Sequence, residues 1–347
     1  MGYKVVKKMP TADEIISAYP LSEDGYKSIT KHQQEIQNIL RGDDERLIIV
    51  VGPCSAWPDT AVLEYARRLK ELNEKVADAL KLVMRVYIQK PRTIKGWTGP
   101  VNQPDPLGMP DIEAGAKYCR SLMVKVAEMG LPIADEALFT HNARGFIELL
   151  SWVAIGARSS EDQEHRIFAS GLDCPVGIKN PTHGSLKIGV NSVVAAQHSH
   201  YIVLDGNEVV TDGNKYAHLV LRGSNDSPNY SIKYIKEVAE IFSKNDVENP
   251  AIVVDVSHDN CMIDGKKDHN AQPKIIMQVM DELKENPTYR KIVKGFMLES
   301  FIKSGKQNAE SATQIDLDGL SITDPCVGWE DTENLLLALA DRVRNKN

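Results

Sequence analysis

The segment Leu47-Ile48-Ile49-Val50-Val51, followed by Val62, Ala66, Leu69 and Leu72 and then by the apolar run Leu82–Ile88, decides the fold. Its first part is a short β-branched run of the kind a fully buried strand requires. Its middle part repeats apolar side chains at spacings of three and four, which places them on one helix face. Strand, helix and strand in that order make one βαβ unit, so the two strands run parallel. Similar runs recur at Pro132–Ala137, Val153–Ala157, Pro175–Ile178, Leu219–Leu221, Ile252–Val256 and Val293–Leu298. Ile275, Ile276, Val279, Met280 and Leu283 form a helical stripe behind Pro273, a first-turn proline. Leu335, Leu336, Leu339 and Val343 form another on a terminal helix, which the acidic Trp329-Glu330-Asp331 stretch is expected to open. The prediction is an α/β protein, a (β/α)8 TIM barrel. An open doubly wound sheet carries the same periodicity and stays the alternative at this point.

Two segments fall outside the repeat. Residues 1–45 form an N-terminal extension, expected to pack away from the barrel on a neighbouring subunit, and residues 46–347 are expected to form a single barrel domain. Tyr201-Ile202-Val203-Leu204-Asp205-Gly206-Asn207-Glu208-Val209-Val210-Thr211 reads as a β-hairpin turning on Asp-Gly-Asn. It is an insertion near 199–212, before the sixth barrel strand.

Composition narrows the function classes. Hydrophobic residues make up 42% of the chain and charged residues 26%, the balance of a globular protein. No apolar run is long enough to span a bilayer, and Met1-Gly2-Tyr3-Lys4-Val5-Val6-Lys7-Lys8 lacks a signal-peptide core, so no membrane partner is expected. Five cysteines without regular spacing argue for a reducing compartment, the cytoplasm. The formal charge of −7 disfavours nucleic acid as a partner. On a chain this acidic, a local cluster of cations needs a reason.

Reactive residues gather at the C-terminal ends of the predicted strands: Cys54, Arg85 with Lys90, Glu136, Arg158, Lys179, Arg222, His258 and Glu299. In a barrel these ends converge on one face, where active sites of this fold lie. Arg85, Arg158, Lys179 and Arg222 directly follow or end apolar runs, and together they suit anion binding. Each phosphate brings about −1.5 to −2 charges, and guanidinium forks match phosphate and carboxylate in one plane. Singly, each cation could instead pair with a rim carboxylate. Cys54, His258, Glu299 and Asp324 offer thiolate, imidazole and two carboxylates, a set that suits one divalent ion, Mn²⁺, Fe²⁺, Co²⁺ or Zn²⁺. Taken one at a time, Cys54 also fits a small apolar filler, and Asp324 before Pro325 a turn opener. His141, His165 and His183 are expected to face solvent or back up the site, and Cys119, Cys174, Cys261 and Cys326 to fill the core.

At these residues the chain resembles the bacterial and fungal class of 3-deoxy-D-arabino-heptulosonate-7-phosphate (DAHP) synthases. The resemblance runs from about residue 12 to 343. It rests on Val51-Gly52-Pro53-Cys54-Ser55, Met84-Arg85-Val86-Tyr87, Lys90-Pro91-Arg92-Thr93 and Ser151-Trp152 with Ala154-Ile155-Gly156-Ala157-Arg158. Ala169-Ser170-Gly171-Leu172, Cys174-Pro175-Val176-Gly177, Lys179-Asn180, Leu221-Arg222-Gly223, Ser257-His258 and Ser321-Ile322-Thr323-Asp324 continue it. The resemblance implies condensation of phosphoenolpyruvate with erythrose 4-phosphate in a homodimer or homotetramer. It implies metal ligands at Cys54, His258, Glu299 and Asp324, and a phosphoenolpyruvate site at Arg85, Arg158, Lys179 and Arg222. Lys90, Pro91, Arg92 and Thr93 correspond to the erythrose 4-phosphate stretch, and Glu136 to a carboxylate near the reacting centre; Lys90, Glu136, Cys54 and His258 are the catalytic set. Lys90-Pro91-Arg92-Thr93 argues against a related synthase that uses arabinose 5-phosphate or another aldose phosphate. The complete residue set argues against a catalytically silent regulatory homologue.

Members of that class are commonly inhibited by Phe, Tyr or Trp in a cavity away from the chemistry, and there this chain departs. Its N-terminus and its hairpin are shorter. Phe139 stands where an aspartate is usual, Asp173 where a serine is usual, and Lys179-Asn180-Pro181-Thr182-His183-Gly184 carries an unusual Pro181 and His183. A buried aspartate beside an amino-acid carboxylate would repel it. Weak or absent feedback inhibition is the expectation.

Overall fold

The computed structural model describes residues 2–92, 96–138, 144–204, 206–309 and 314–345. Eight parallel strands close into a barrel: β1 (Leu47–Gly52), β2 (Leu80–Arg85), β3 (Ile133–Ala137), β4 (Trp152–Ile155), β5 (Val176–Lys179), β8 (His218–Leu221), β9 (Ile252–Asp255) and β12 (Val293–Glu299). Helices α3 (Asp59–Val76), α4 (Ile112–Glu128), α5 (Gln163–Ser170), α6 (Leu186–Gln197), α7 (Ile232–Ser243), α8 (Ala271–Glu285) and α10 (Trp329–Arg344) follow barrel strands, and the short α9 (Pro287–Arg290) leads into β12. The (β/α)8 barrel holds, and the open sheet falls because β12 pairs with β1. Successive strand residues face opposite ways. Leu47, Ile49 and Val51 join the layer under the helices, whereas Ile48 and Val50 join the cluster with Val83, Trp152, Val220, Val253 and Met297.

Three expectations need correction. The second strand runs Leu80–Arg85 rather than Leu82–Ile88. The Val86 N–H still donates to the Ala134 carbonyl (2.8 Å), but the Ile88 N–H goes to the Asp135 carboxylate (3.2 Å), so a side chain ends the ladder. In the insertion Asn207 belongs to a strand rather than to the turn, because it pairs with Leu204 between β6 (Tyr201–Leu204) and β7 (Asn207–Val210). Asp205 itself lies outside the described residues; Gly206 has φ +77°, a region glycine enters without strain.

The third correction concerns the extension, which packs on its own barrel. It forms α1 (Ala12–Ala18), with a Thr11–Glu14 capping box, and α2 (Glu23–Arg41), capped by Ser22 and ended by Gly42 at φ +93°. On α2, Ile29, Ile36, Ile39 and Leu40 recur at helical spacing and are buried. Ile36, Ile39 and Leu40 belong to the same cluster as the inward-facing strand residues, so α2 plugs the barrel at the start of its strands. Ile39 is fully buried. Ile39→Ala should therefore cost about 2–5 kcal/mol, read as a lower urea midpoint with catalytic KM values unchanged; an unaltered midpoint would show that the plug contributes nothing.

Candidate active site

Strand closure sets β1 beside β12, and the Gly52↔Glu299 pair brings the Gly-Pro-Cys turn next to the last carboxylate of the barrel. The side-chain ligand atoms of Cys54, Glu299 and Asp324 all lie within 4.8 Å of one another. His258 joins them from the loop after β9, its Nε2 3.9 Å from Glu299 Oε1. Its Nδ1 is 2.8 Å from an Asp255 carboxylate oxygen and 2.8 Å from the Ser257 hydroxyl. The hydrogen bond between Nδ1 and the Ser257 hydroxyl orients the ring, Asp255 stands beside it as a charge, and Nε2 is turned to the carboxylates. His258 also adopts φ +54°, an uncommon backbone region for a residue with a side chain.

Burial pushes the Cys54 thiol up, and Glu299 adds to the push. Carboxylates beside a buried thiol disfavour its thiolate, and neighbouring positive charge works the other way. Two cations already stand there. Lys90 donates to the Cys54 carbonyl (2.7 Å) and lies 3.2 Å from Sγ. Lys267 pairs with Asp324. Burial alone would raise the Asp324 carboxyl, but Lys267 outweighs it and holds the group low. Lys267 arrives on a two-residue hairpin, β10 (Met262–Ile263) and β11 (Lys266–Lys267), whose sequence pattern predicts no strand.

The cations expected to bind anions divide into two groups. Arg85 is fully buried, donates to Glu299 (3.1 Å) and lies 3.9 Å over the Tyr87 ring. Lys179 pairs with Glu136 at 3.0 Å and approaches Asp255 at 3.9 Å. Arg222 pairs with Asp259, the neighbour of His258. Three buried donors here find no hydrogen-bond partner in the protein: Arg85 Nη1, Arg222 Nε and the Tyr87 hydroxyl. Such groups cost stability unless a ligand satisfies them. Lys90 and Lys179 also sit 5.8 and 5.9 Å from the Tyr87 ring, so one aromatic face underlies three cations. Arg158 falls in the second group: it follows β4 on the same end of the barrel but is exposed on a turn. Arg92 is exposed too, its Nε donating to the Trp97 carbonyl (2.7 Å); Pro91 is half-buried, and Thr93 lies outside the described residues.

Glu136 is held down to about 2: burial works to raise it, but Lys179 and Lys90 prevail. A Cβ on Gly156 would stand 2.6 Å from its Oε1, so the neighbouring strand leaves room for this carboxylate by carrying glycine. Next to it, burial pushes Asp135 up to about 7. Cys119, Cys174, Cys261 and Cys326 are buried free thiols. Two of them do more than fill space: Cys261 Sγ contacts the His258 carbonyl (3.4 Å) and Cys326 Sγ the Asp324 carbonyl (3.6 Å), bracing both ligand loops. His165 is held against Asp162 and the Leu138 carbonyl, and His183 is half exposed near Glu161. His141 and Phe139 lie outside the described residues. Asp173 is exposed, so the repulsion argument built on a buried aspartate fails there; solvent screens its charge.

Among the described residues no helix is long and apolar enough to cross a membrane. Residues 26–337 match the family model of the DAHP synthetase I family. The chain is 37% identical to the Trp-sensitive phospho-2-dehydro-3-deoxyheptonate aldolase of Escherichia coli, over 97% of this chain and 96% of that protein. It is 40% identical to the Tyr-sensitive enzyme of Salmonella typhimurium, over 94% and 90%. The structure of phospho-2-dehydro-3-deoxyheptonate aldolase from Francisella tularensis superposes with a TM-score of 0.92 at 34% identity, covering all of both chains. With matches of that extent in sequence and in fold, the chain belongs to the DAHP synthetase I family.

Proposed function

We propose that the barrel mouth condenses phosphoenolpyruvate with D-erythrose 4-phosphate and water, giving DAHP and phosphate, with the division of labour set out below. The chain is a DAHP synthase, a transferase acting at the first step of the shikimate pathway, which leads to chorismate and the aromatic amino acids. One observation carries the assignment of roles. A thiol and two carboxylates meet, with an imidazole 3.9 Å from one of those carboxylates, beside buried cations that still have unsatisfied donors.

Arg85, Lys179 and Arg222, with Arg158 at the mouth, hold the phosphate and carboxylate of phosphoenolpyruvate. Lys90, Pro91, Arg92 and Thr93 hold the phosphorylated aldose. Fixing both reactants in one cleft removes translational freedom from the barrier. C3 of phosphoenolpyruvate then attacks the aldehyde carbon, water adds at C2, and phosphate leaves with cleavage of the C–O bond. Lys90 delivers a proton to the developing alkoxide, and Glu136 holds the Lys179 ammonium in place. Cys54, His258, Glu299 and Asp324 fit one divalent ion, Mn²⁺, Fe²⁺, Co²⁺ or Zn²⁺, and such an ion supplies Lewis-acid polarisation of a carbonyl oxygen. Assembly as a homodimer or homotetramer in the cytoplasm, without nucleic-acid or membrane partners, completes the proposal.

Weak inhibition by aromatic amino acids remains part of it, supported by the shorter hairpin and by Phe139, Pro181 and His183. The names of the relatives, Trp-sensitive and Tyr-sensitive, describe those proteins.

Phosphate release from phosphoenolpyruvate should be rapid with erythrose 4-phosphate, slow with arabinose 5-phosphate and abolished by chelator. Lys90→Met should lower kcat by about 10²-fold or more, the range of a general acid; turnover equal to the parent chain would remove Lys90 from the mechanism. A faster reaction with the pentose phosphate would replace the substrate, and no turnover with either would favour a silent homologue. Asp255→Asn removes the charge beside the ring of His258 and should weaken divalent-ion affinity about 10–100-fold, measured by competition against a chromophoric chelator; equal affinity would show that Asp255 does not support the ligand. In steady-state assays, millimolar Phe, Tyr or Trp should leave most of the activity, and strong inhibition by any one of them would refute the regulatory reading.

A further inference from the structure

The other end of the barrel carries a feature that the reaction does not use. A cleft of about 670 Å³ lies between the C-terminal ends of α2, α8 and α10 and the base of β12. That volume suits a small organic ligand. Met280, Leu283, Pro287 and Val343 give it an apolar wall. Seven cationic side chains line it against two carboxylates, Asp44 and Glu45, on a chain whose formal charge is −7.

Part of this has an ordinary explanation. Arg41, Lys284, Arg290 and Arg342 occupy last helical turns, where a cation complements the helix dipole. Asp44 is paired with Arg46 (2.7 Å), Asp43 with Arg41 (2.7 Å), and Asp281 with Arg342. The same explanation covers Lys291, which caps the C-terminal end of α9, but it does not extend to Lys294 on β12. Lys294, on β12, is half-buried. Burial works against its charge and so does neighbouring Arg290, and the acid whose field reaches it is Asp43, already paired with Arg41. Burial lowers Arg290 as well, with Glu45 the acid that acts against that lowering, and its Nη1 is spent on the Val293 carbonyl (3.1 Å). Charge compensation would separate these two cations, whereas the fold brings them into one concavity. A bound anion relieves both the desolvation and the repulsion.

We propose that this cleft binds a small organic polyanion, a molecule carrying two or more phosphate or carboxylate groups. Arg290, Lys291 and Lys294 grip the anionic groups, and the carbon skeleton rests on Met280 and Leu283. The site is separate from the reaction centre: β12 carries Lys294 near its base and Glu299 at its top, about 16 Å apart along the strand.

The test is calorimetric titration of the full, metal-loaded chain with fructose 1,6-bisphosphate and, separately, tricarballylate. Three proteins are compared: the parent chain, Arg290→Met/Lys294→Met, and the reaction-site variant Lys179→Met. Saturable binding is expected in the parent chain and in Lys179→Met, weakened at least tenfold in the double variant. The probe that binds assigns the site to phosphates or to carboxylates. Equal affinity in the double variant, loss confined to Lys179→Met, or no saturable binding to the parent chain below 10 mM (roughly the millimolar end of ligand affinities) would each overturn the proposal. DAHP formation with unchanged KM values certifies that the double variant is folded. Should it not fold, exposed Lys291→Glu is titrated in its place, and the same weakening is expected.

Discussion

Pairing of the first barrel strand with the last is the contact on which the rest depends. Ile48 to Gly52 run alongside Gly295 to Glu299, and this register closes the sheet. The approach is tight: a Cβ on Gly295 would stand 1.9 Å from the Ile48 carbonyl oxygen. Glycine at 295 thus allows the closure, and the closure carries Cys54 to Glu299 and Asp324 from the far end of the chain. An open sheet would leave the same ligands on opposite edges.

The charges at the mouth are arranged in mutual pairs: Arg85 with Glu299, Lys179 with Glu136, Lys90 beside Cys54, and Lys267 with Asp324. Buried ion pairs contribute little net stability, because desolvation offsets the attraction. Their consequence here is positional. The acids hold the cations in place at the mouth, and Lys179 and Lys267 keep Glu136 and Asp324 ionised against burial. The same logic, with cations outnumbering acids, marks the cleft at the base of the barrel. One end of the barrel is thereby balanced before any ligand arrives, and the other is left positive.

Much of this was legible in the order of residues. Buried parallel strands must be continuously apolar, so all eight appear as runs, and reactive side chains stand out because they terminate those runs. What stayed hidden shares a cause. Lys267 comes from a hairpin of two-residue strands, too short for any period to register. Asp255 lies inside an apolar run, and its role exists only because the loop folds His258 back onto it. Tyr87 reads as one more aromatic core residue until three cations are found over its ring. The aspartate at 173 carried an argument from repulsion that required burial, and burial is a property of the packed chain.

The sequence by itself determined the alternating α/β class, the eight apolar runs and the reactive side chains at their ends, since local period and residue chemistry survive in one dimension. Closure of the sheet into a barrel came from the pairing of β12 with β1. Tertiary structure alone decided that α2 plugs the barrel on which it sits, that Arg85 and Lys179 are buried while Arg158 and Arg92 face solvent, and that a second cationic concavity exists. These depend on distances between segments far apart in the chain, which only closure and packing of the barrel set.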